Sequence, residues 1–514
     1  MIKKDMTILI IGSGGREHAI SCAYEKSSKV KKIIVAPGND FISYKRQKEV
    51  ICDNNCSLKN PESILKIAKK YNPTLIDVAQ DDALASGTVD LLIKEGFQVF
   101  GPTQKSSQIE WDKKWSREFM QRHNIPSPKF KYFNSEEKAL GYVEGLYEDK
   151  TRTIYIKASG LCEGKGAIKA TNLDEAINSI KQMENFGQAG KIFLIEEALE
   201  GEEFSYYIIS DGKNFKSFKS AQDNKTAFNF DLGPQTGGMG VVSPAKITQP
   251  ITDEIEYEQI KKVIDGMHKE GIPYKGILYL GGIVNEDKIM TIEYNARWGD
   301  PECQAVLPSL KTDYVDIILA AINGNINSIK IEQDNKVRIC IIGASRGYPQ
   351  DYSKSKGKRI YGLEETMQKD NIKIFGSGIK IQDGKFYTNG GRLFSIVAEG
   401  ENILEAKERA YSAIAGITIE ENNLQYRTDI GWRDIERELK KTEEKSNPKF
   451  LDETKEINPE EIDDDDDWVM LQRDENKDDD DDNDGNYWIT EEITEPTGQS
   501  EIVFGEEILE EEET

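Results

Sequence analysis

Short apolar runs alternate with amphipathic stretches through the first hundred residues, and the pattern predicts a succession of strands and helices. Thr7–Ile11 is a β-type run, Gly12-Ser13-Gly14-Gly15 interrupts it, and Arg16–Glu25 has the composition of a helix. Val30–Val35 predicts a second strand, closed by Pro37-Gly38-Asn39. A helix at Pro61–Lys70, a third strand at Thr74–Ala79, a helix at Leu84–Glu95 and a fourth strand at Phe97–Phe100 follow. Strands and helices alternating at this spacing imply a parallel, doubly wound sheet. Its ligand edge lies at the C-terminal ends of the strands, where Gly12–Gly15 and Pro37–Asn39 fall. Further on, the pattern predicts a helix over Ser106–Arg122, then short strands and glycine loops from about 153 to 297. A last α+β unit carries β-like runs at Val337–Gly343 and Arg392–Ala398 and a helix at Ile403–Ile414.

The chain has 514 residues, too many for one core, since single cores rarely grow beyond roughly 250–300 residues. Its formal charge of −25 is unevenly placed: Leu451–Thr514 holds 28 acids against three bases, leaving 64 of each in residues 1–450. The neutral body offers no long-range field for nucleic acid or anionic lipid. The acidic end, with Asp463–Asp467 and Asp478–Asp482, is too polar to offset its ordering entropy and is expected to be disordered. Apolar runs fall far short of the ~18 residues that span a bilayer, and the opening lacks the long apolar stretch of a signal peptide. A cytoplasmic enzyme is expected, with its six cysteines reduced. Three histidines in the whole chain argue against a zinc site.

Candidate chemistry collects around glycine loops. Gly12–Gly15 is spaced G-x-G-G, and Ala36 and Pro37, not a carboxylate, end the second strand, which disfavours a dinucleotide but suits a phosphorylated small molecule. Lys157 and Lys165 flank a glycine loop that is not a Walker A loop, yet two ammonium groups beside bare backbone suit a triphosphate. Gly233–Gly240 holds four glycines in eight residues, costly to order unless backbone must approach a ligand. Glu293 and Asn295, two apart on a predicted strand, project from one face and form an oxygen donor pair suited to nucleotide-bound Mg²⁺.

With these residues in place, the chain closely resembles the phosphoribosylamine–glycine ligase family of ATP-grasp enzymes over about residues 7–436. The resemblance rests on IGSGGREHAI at Ile11–Ile20, APGN at Ala36–Asn39, KASGLCEGKG at Lys157–Gly166, GPQTGGMG at Gly233–Gly240, EYNARWGDPECQ at Glu293–Gln304 and TNGGR at Thr388–Arg392. It implies four segments: an N-terminal phosphoribosylamine-binding domain (1–104), an ATP-grasp domain (105–330), a C-terminal domain (331–437) and the acidic tail (438–514). It also implies the reaction, in which glycine is phosphorylated by ATP and the amine of 5-phosphoribosylamine displaces the phosphate. Such chemistry needs alignment and charge neutralisation more than a nucleophilic side chain. By position, Lys113, Lys157 and Lys165 would meet the ATP phosphates, Glu196 and Glu203 the adenosine, and Glu293 and Asn295 Mg²⁺ or Mn²⁺. Arg297, Asp300 and Lys225 would act at the reacting groups. Gly14, Gly15, Pro37, Gly38, Asn39, Glu302 and Arg392 would complete the substrate pocket.

The chain departs from the family pattern mainly on the substrate side, at Ala79-Gln80-Asp81, Ser159, Asn224-Lys225-Thr226, Gln235 and Gly376-Ser377-Gly378. Two other readings stay open: a ligase for another small acid or amine, and a silent scaffold that presents the tail. Within the tail, Trp468-Val-Met-Leu471 follows five aspartates and resembles short motifs that dock by strand addition, a candidate site for a protein partner.

Overall fold

The computed structural model describes residues 5–148, 152–162, 165–286 and 288–446. The Trp468 motif and the rest of the acidic tail from residue 447 on lie outside the described residues, as do Glu163 and Gly164.

The N-terminal sheet has five parallel strands in the spatial order Glu49–Cys52, Val30–Pro37, Met6–Gly12, Leu75–Val78, Val99–Phe100. The order reverses beside Met6–Gly12, so its C-terminal end is a topological switch point, the usual ligand crevice of such sheets. Period-two geometry divides the central strands between two cores. Ile8, Ile10, Ile33 and Val35 pack into one, and Leu9, Ile11, Ile34 and Ala36 into the other. Both faces are covered, which is why these strands read as continuous apolar runs.

Three expectations change. Glu49–Cys52 is a strand that the pattern does not predict; it is short, lies at the sheet edge and has no fully buried residue. The helix expected over Leu84–Glu95 is two helices, Asp81–Ala85 and Thr88–Lys94. They break at Gly87, whose φ of +82° is left-handed and open to glycine. The helix expected over Ser106–Arg122 also divides, into Gln108–Trp111 and Lys113–Arg122, at Asp112. Asp112 is extended, and its side chain caps the second helix by accepting from the Trp115 N–H.

Two antiparallel sheets follow. One runs Phe130–Phe133, Phe193–Glu197, Ile154–Ala158, Ala167–Ala170 and is backed by the helices Glu136–Tyr147 and Leu173–Gln182. The other runs Phe215–Ser217, Glu202–Asp211, Lys275–Asn285, Lys288–Asn295. The strands Glu202–Asp211 and Lys275–Asn285, ten and eleven residues long, replace the short strands expected there. Their alternating side chains enter the same two cores as the N-terminal sheet: Tyr207, Ile209, Ile277 and Tyr279 one, Phe204, Tyr206, Leu278 and Leu280 the other.

The last large sheet contains Val337–Ser345, Arg392–Gly400 and Ile372–Gly376 and is covered by the helix Ile403–Ile414, and a smaller one of Ile379–Gln382, Lys385–Thr388, Arg359–Tyr361 and Thr418–Ile419 accompanies it. Gly240–Ser243, from the glycine-rich segment, pairs with Val337–Ser345 and so belongs to this sheet. The final described helix, Trp432–Ser446, runs across the expected 437/438 boundary. Its Arg437 is ion-paired with Glu202 and Asp434, and Lys246 pairs with its Glu438.

Candidate active site

Charged groups come from both antiparallel sheets, which Arg117 links. Lys157 and Glu196 come from neighbouring strands of the first sheet, and Lys157 Nζ lies 2.8 Å from Glu196 Oε2. The helix Lys113–Arg122 adds Arg117, whose guanidinium clasps Glu196 at 2.7 Å (Nε–Oε1) and 2.9 Å (Nη2–Oε2). Arg117 Nη2 also donates to the Ile292 carbonyl at 2.7 Å, tying the triad to the second sheet one residue from Glu293. Burial would raise the Glu196 carboxyl, but Arg117 and Lys157 outweigh it and hold it down at about 2. Glu196, expected at adenosine, and Lys157, expected at phosphate, are thus direct partners. Arg117 was not anticipated.

Glu293 and Asn295 lie on Lys288–Asn295, opposite Gly281 and Tyr279. Burial pushes the Glu293 carboxyl up, yet Lys225, Lys113, Lys157 and Arg297 together hold it below its ordinary range. Cations from four separate segments therefore act electrostatically on one buried carboxylate. Asn295 is 6 % exposed, and its Nδ2 has no hydrogen-bond partner among the described residues. The Glu293 carboxylate and the Asn295 carboxamide oxygen, two residues apart on one strand face, are oxygen donors of the kind a magnesium ion takes, whereas the unpaired Nδ2 is a hydrogen-bond donor.

Lys225 Nζ pairs with Glu203 at 2.7 Å. Lys113 approaches the Gly160 carbonyl at 3.5 Å, and its own N–H donates to the Ser159 carbonyl. Ser159, a departure from the family pattern, accepts from the Lys114 N–H at 3.0 Å and donates to Asp112 at 2.9 Å, which secures the start of that helix. Lys165 is exposed on the loop before Ala167–Ala170 and is not among the cations acting on Glu293.

The substrate-side residues gather where the N-terminal and last sheets meet. Arg297 Nη2 pairs with Glu110 at 2.7 Å and lies 3.9 Å from Asp81. Glu110 also accepts from the Ala296 N–H, and burial pushes its carboxyl up to about 7 against the pull of Arg297. Asp300 accepts from Gln304 at 2.7 Å and faces Arg392, whose Nη1 donates to the Asp300 and Gly237 carbonyls. A Cβ on Gly14 would lie 3.1 Å from Asp300 Oδ2, and one on Gly15 would lie 2.6 Å from Gln304 Nε2. Side chains of the RWGDPECQ segment therefore lie close against these glycines.

The turn differs from its sequence expectation in one respect. The Ser13 and Gly14 N–H groups, expected to face a phosphate, donate to the Glu17 carboxylate at 3.1 and 2.6 Å. Glu17 lies one turn into the helix and fills the capping role itself. Asn39 likewise uses its side chain within the protein, donating to the Ser13 carbonyl at 2.6 Å and the Gly376 carbonyl at 3.1 Å. Gly38 has φ of +68°, and a Cβ there would meet Cys52, so Pro37-Gly38-Asn39 shapes the crevice by its backbone.

Unused polar atoms mark the same region. Among the described residues, Tyr207 Oη, Asp223 Oδ1, Asn224 Oδ1, Asn295 Nδ2, Arg297 Nε and Gln304 Oε1 are buried without a hydrogen-bond partner. Buried polar atoms left unpaired are rare in folded proteins, and Asn295, Arg297 and Gln304 carry three of them within the residues placed here.

Comparison with known proteins agrees. Residues 6–110 match the N domain of phosphoribosylglycinamide synthetase, 111–303 its ATP-grasp (A) domain and 338–433 its C domain. The phosphoribosylamine–glycine ligase of Caldanaerobacter subterraneus subsp. tengcongensis is 37 % identical over 429 residues, covering 83 % of this chain and 99 % of that one. The chain belongs to the phosphoribosylglycinamide synthetase family. The Haemophilus influenzae member is 38 % identical over 441 residues, covering 85 % of this chain and all of that one. Identity to the chicken trifunctional purine biosynthetic protein adenosine-3 is 37 % over 433 residues, and the chain spans 42 % of that protein's length. The solved phosphoribosylamine–glycine ligase of Thermotoga maritima, 28 % identical, superposes with a TM-score of 0.68 over 82 % of this chain and 99 % of that one. The synthetase's central domain is of the ATP-grasp class, which binds ATP with a divalent metal ion. Among the described residues no helix is long and apolar enough to cross a membrane.

Proposed function

We propose that this chain joins glycine to 5-phosphoribosylamine with ATP, giving glycinamide ribonucleotide, ADP and phosphate for purine synthesis, and that it works in the cytoplasm. The observation that carries this reading is the Arg117–Glu196–Lys157 triad, which is hydrogen-bonded to the Ile292 carbonyl and so joins a phosphate-side lysine to the strand that bears Glu293 and Asn295. On this reading the chain divides into segments 1–104, 105–330 and 331–437, followed by the tail 438–514.

In this mechanism Lys113 and Lys157 align the ATP phosphates, with Lys165 reaching in from its loop. Glu196 fixes Lys157 in place, and Glu203 sits at the adenosine side of the cleft. Glu293 and Asn295 would hold Mg²⁺ or Mn²⁺, which supplies charge neutralisation across the phosphates when bound. A glycine carboxylate oxygen attacks the γ-phosphorus and ADP departs. The free amine of phosphoribosylamine then attacks the glycyl carbonyl, phosphate leaves with the carboxylate oxygen, and the nitrogen loses a proton. Lys225 and Arg297 offset the negative charge that builds on the transferred group. Asp300 and Arg392 brace the glycine-rich segment over the reacting atoms, and Gly14, Gly15, Pro37, Gly38, Asn39 and Glu302 shape the pocket. Water must be kept from an acyl phosphate, and Gly233–Gly240 supports that exclusion by lying against Pro301 and Arg392.

The test is coupled ADP release with glycine and freshly generated phosphoribosylamine, omitting each in turn. Release that needs both supports the reading, and release with other acids or amines alone replaces it with the second one. Glu293→Ala is expected to abolish turnover with unchanged circular dichroism; wild-type turnover in that variant contradicts the metal assignment.

A further inference from the structure

The sheet that carries Lys157 and Glu196 ends on an open strand. Phe130–Phe133 pairs with Phe193–Glu197 on one side and, among the described residues, with no strand on the other. The Glu197 N–H donates to the Lys129 carbonyl, which sets the phase of the ladder. Lys131 and Phe133 turn their backbone groups inward, and the N–H and C=O groups of Phe130 and Tyr132 face the open edge. A groove of about 1300 Å³ runs between this strand, the end of the helix Lys113–Arg122 and the segment 124–128. Small-molecule sites are enclosed and hold about 300–1,000 Å³. An open groove larger than that, beside unused main-chain donors and acceptors, has the form of a peptide site.

The two faces of the strand differ. Phe130 lies opposite Glu196, whose partner Arg117 is on the helix Lys113–Arg122, so Phe130 and Tyr132 belong to that helix's side. Half-buried Phe130 and Met290 give the groove an apolar floor there. Tyr132 is 46 % exposed, with Lys114 Nζ 4.4 Å from its ring centre. On the other side Phe133 packs with Ala139 and Val143 of the helix Glu136–Tyr147, and Lys131 Nζ lies 4.4 Å from the Tyr142 ring centre. Lys138, on the same helix, also lines the groove. Lys129, Lys131 and Lys138 are exposed, and among the described residues none of them is in an ion pair. Glu118, the acid that lines the groove, is matched by Lys114 at 3.3 Å. The surplus charge is therefore positive, and an occupant that complements it is acidic. Lysines guard many edge strands against pairing with other chains, but guarding alone needs no apolar groove beside the strand.

We propose that this edge is a docking site for an extended acidic peptide of a partner protein, added as a further strand and antiparallel like the rest of the sheet. Side chains of an added strand alternate between the two faces. Residues directly opposite Phe130 and Tyr132 share their side, so apolar residues there rest on Phe130 and Met290 and accept and donate the ladder hydrogen bonds. Acidic residues between them fall on the side of Lys131 and Lys138. None of these groove residues acts on ATP, glycine or phosphoribosylamine, so the site is independent of the ligase reading.

The experiment titrates the full-length protein into a fluorescein-labelled peptide of about ten residues in which aspartate alternates with leucine, followed by anisotropy. Saturable binding is expected. A peptide with lysine in place of aspartate is expected to bind at least about ten-fold more weakly to the same protein. N-methylation of the leucine nitrogens, which removes the ladder donors, is expected to abolish binding. Hydrogen exchange in the segment 129–134 slows at least about five-fold when the acidic peptide is bound. The double variant Lys131→Glu, Lys138→Glu loses at least about ten-fold in affinity; both positions are exposed, and an unchanged melting midpoint separates lost binding from lost folding. Absence of saturable binding below about 1 mM, equal binding of the aspartate and lysine peptides, or exchange unchanged in 129–134 overturns the docking site. A wild-type dimer in sedimentation that the double variant lacks gives the edge to a second copy of the chain and also overturns it.

Discussion

Replacing Arg117 by methionine removes four hydrogen bonds, two to Glu196, one to the Ile292 carbonyl and one to the Met120 sulfur, and keeps most of the side-chain volume. Glu196 is 2 % exposed, so water cannot replace the lost donors. Its carboxyl sits at about 2 against an ordinary 4.5. That difference corresponds to about 3 kcal/mol of folded-state stabilisation, at 1.36 kcal/mol per pH unit. Lys157 remains and retains part of it, whereas breaking a buried ion pair costs roughly 3–5 kcal/mol, so a loss of about 3 kcal/mol is expected. At roughly 2–4 °C per kcal/mol for a domain of 150–250 residues, the thermal midpoint at pH 7 falls by about 6–12 °C. The sign follows from the depressed value: the contribution is complete above about pH 5 and is lost as pH falls toward 2, where Glu196 protonates in wild type and variant alike. Melting curves of both proteins from pH 7 to 3 therefore converge at the acid end. Lys157, drawn wholly onto Glu196, also serves ATP less well, and the ATP KM rises several-fold. A variant that melts within about 2 °C of wild type at pH 7, with the same acid profile, refutes the reasoning.

Two further outcomes are expected. Asp77 is buried beneath the Tyr24 hydroxyl at 2.8 Å, and burial pushes its carboxyl up to about 7. Stability then falls as pH rises from about 4 to above 7, because the folded state holds a proton that the unfolded state has lost. Asp77→Asn, which keeps an acceptor for Tyr24, is expected to be about 1–3 kcal/mol more stable at pH 8 and little changed at pH 4; urea midpoints at the two values check this, and equal shifts at both contradict it. Removal of residues 448–514 is expected to leave turnover within about two-fold, whereas a chain ending at Arg437 loses Glu438, the partner of Lys246, and the last turns of its helix, and melts earlier. Steady-state rates and melting curves of the two truncations test the contrast.

Much of this architecture is legible in the chain because period and punctuation are local properties. Met6–Gly12 and Val30–Pro37 are apolar on both faces and end in glycine or proline, and Ile403–Ile414 carries a helical stripe capped by Asn402. Glu49–Cys52 escapes notice because an edge strand of four residues need not be apolar. The glycines of the turn and the Glu293 and Asn295 pair stand out for the same local reason, and the resemblance to a known family places the remaining site residues. Arg117 does not stand out, since a lone arginine in an amphipathic helix reads as a solvated charge until its partner 79 residues away is known. The N–H groups of Ser13 and Gly14 mislead in the opposite direction: the turn has the form of an anion site, but Glu17 supplies the anion.

The claim on which the account turns is that the cluster about Glu293 and Asn295 phosphorylates the glycine carboxylate. Glycine labelled with oxygen-18 in its carboxyl group tests this directly when incubated with ATP, phosphoribosylamine and the protein. The account predicts that each phosphate released carries one oxygen from glycine, seen by mass spectrometry. Phosphate released without label, alongside amide product, would contradict it.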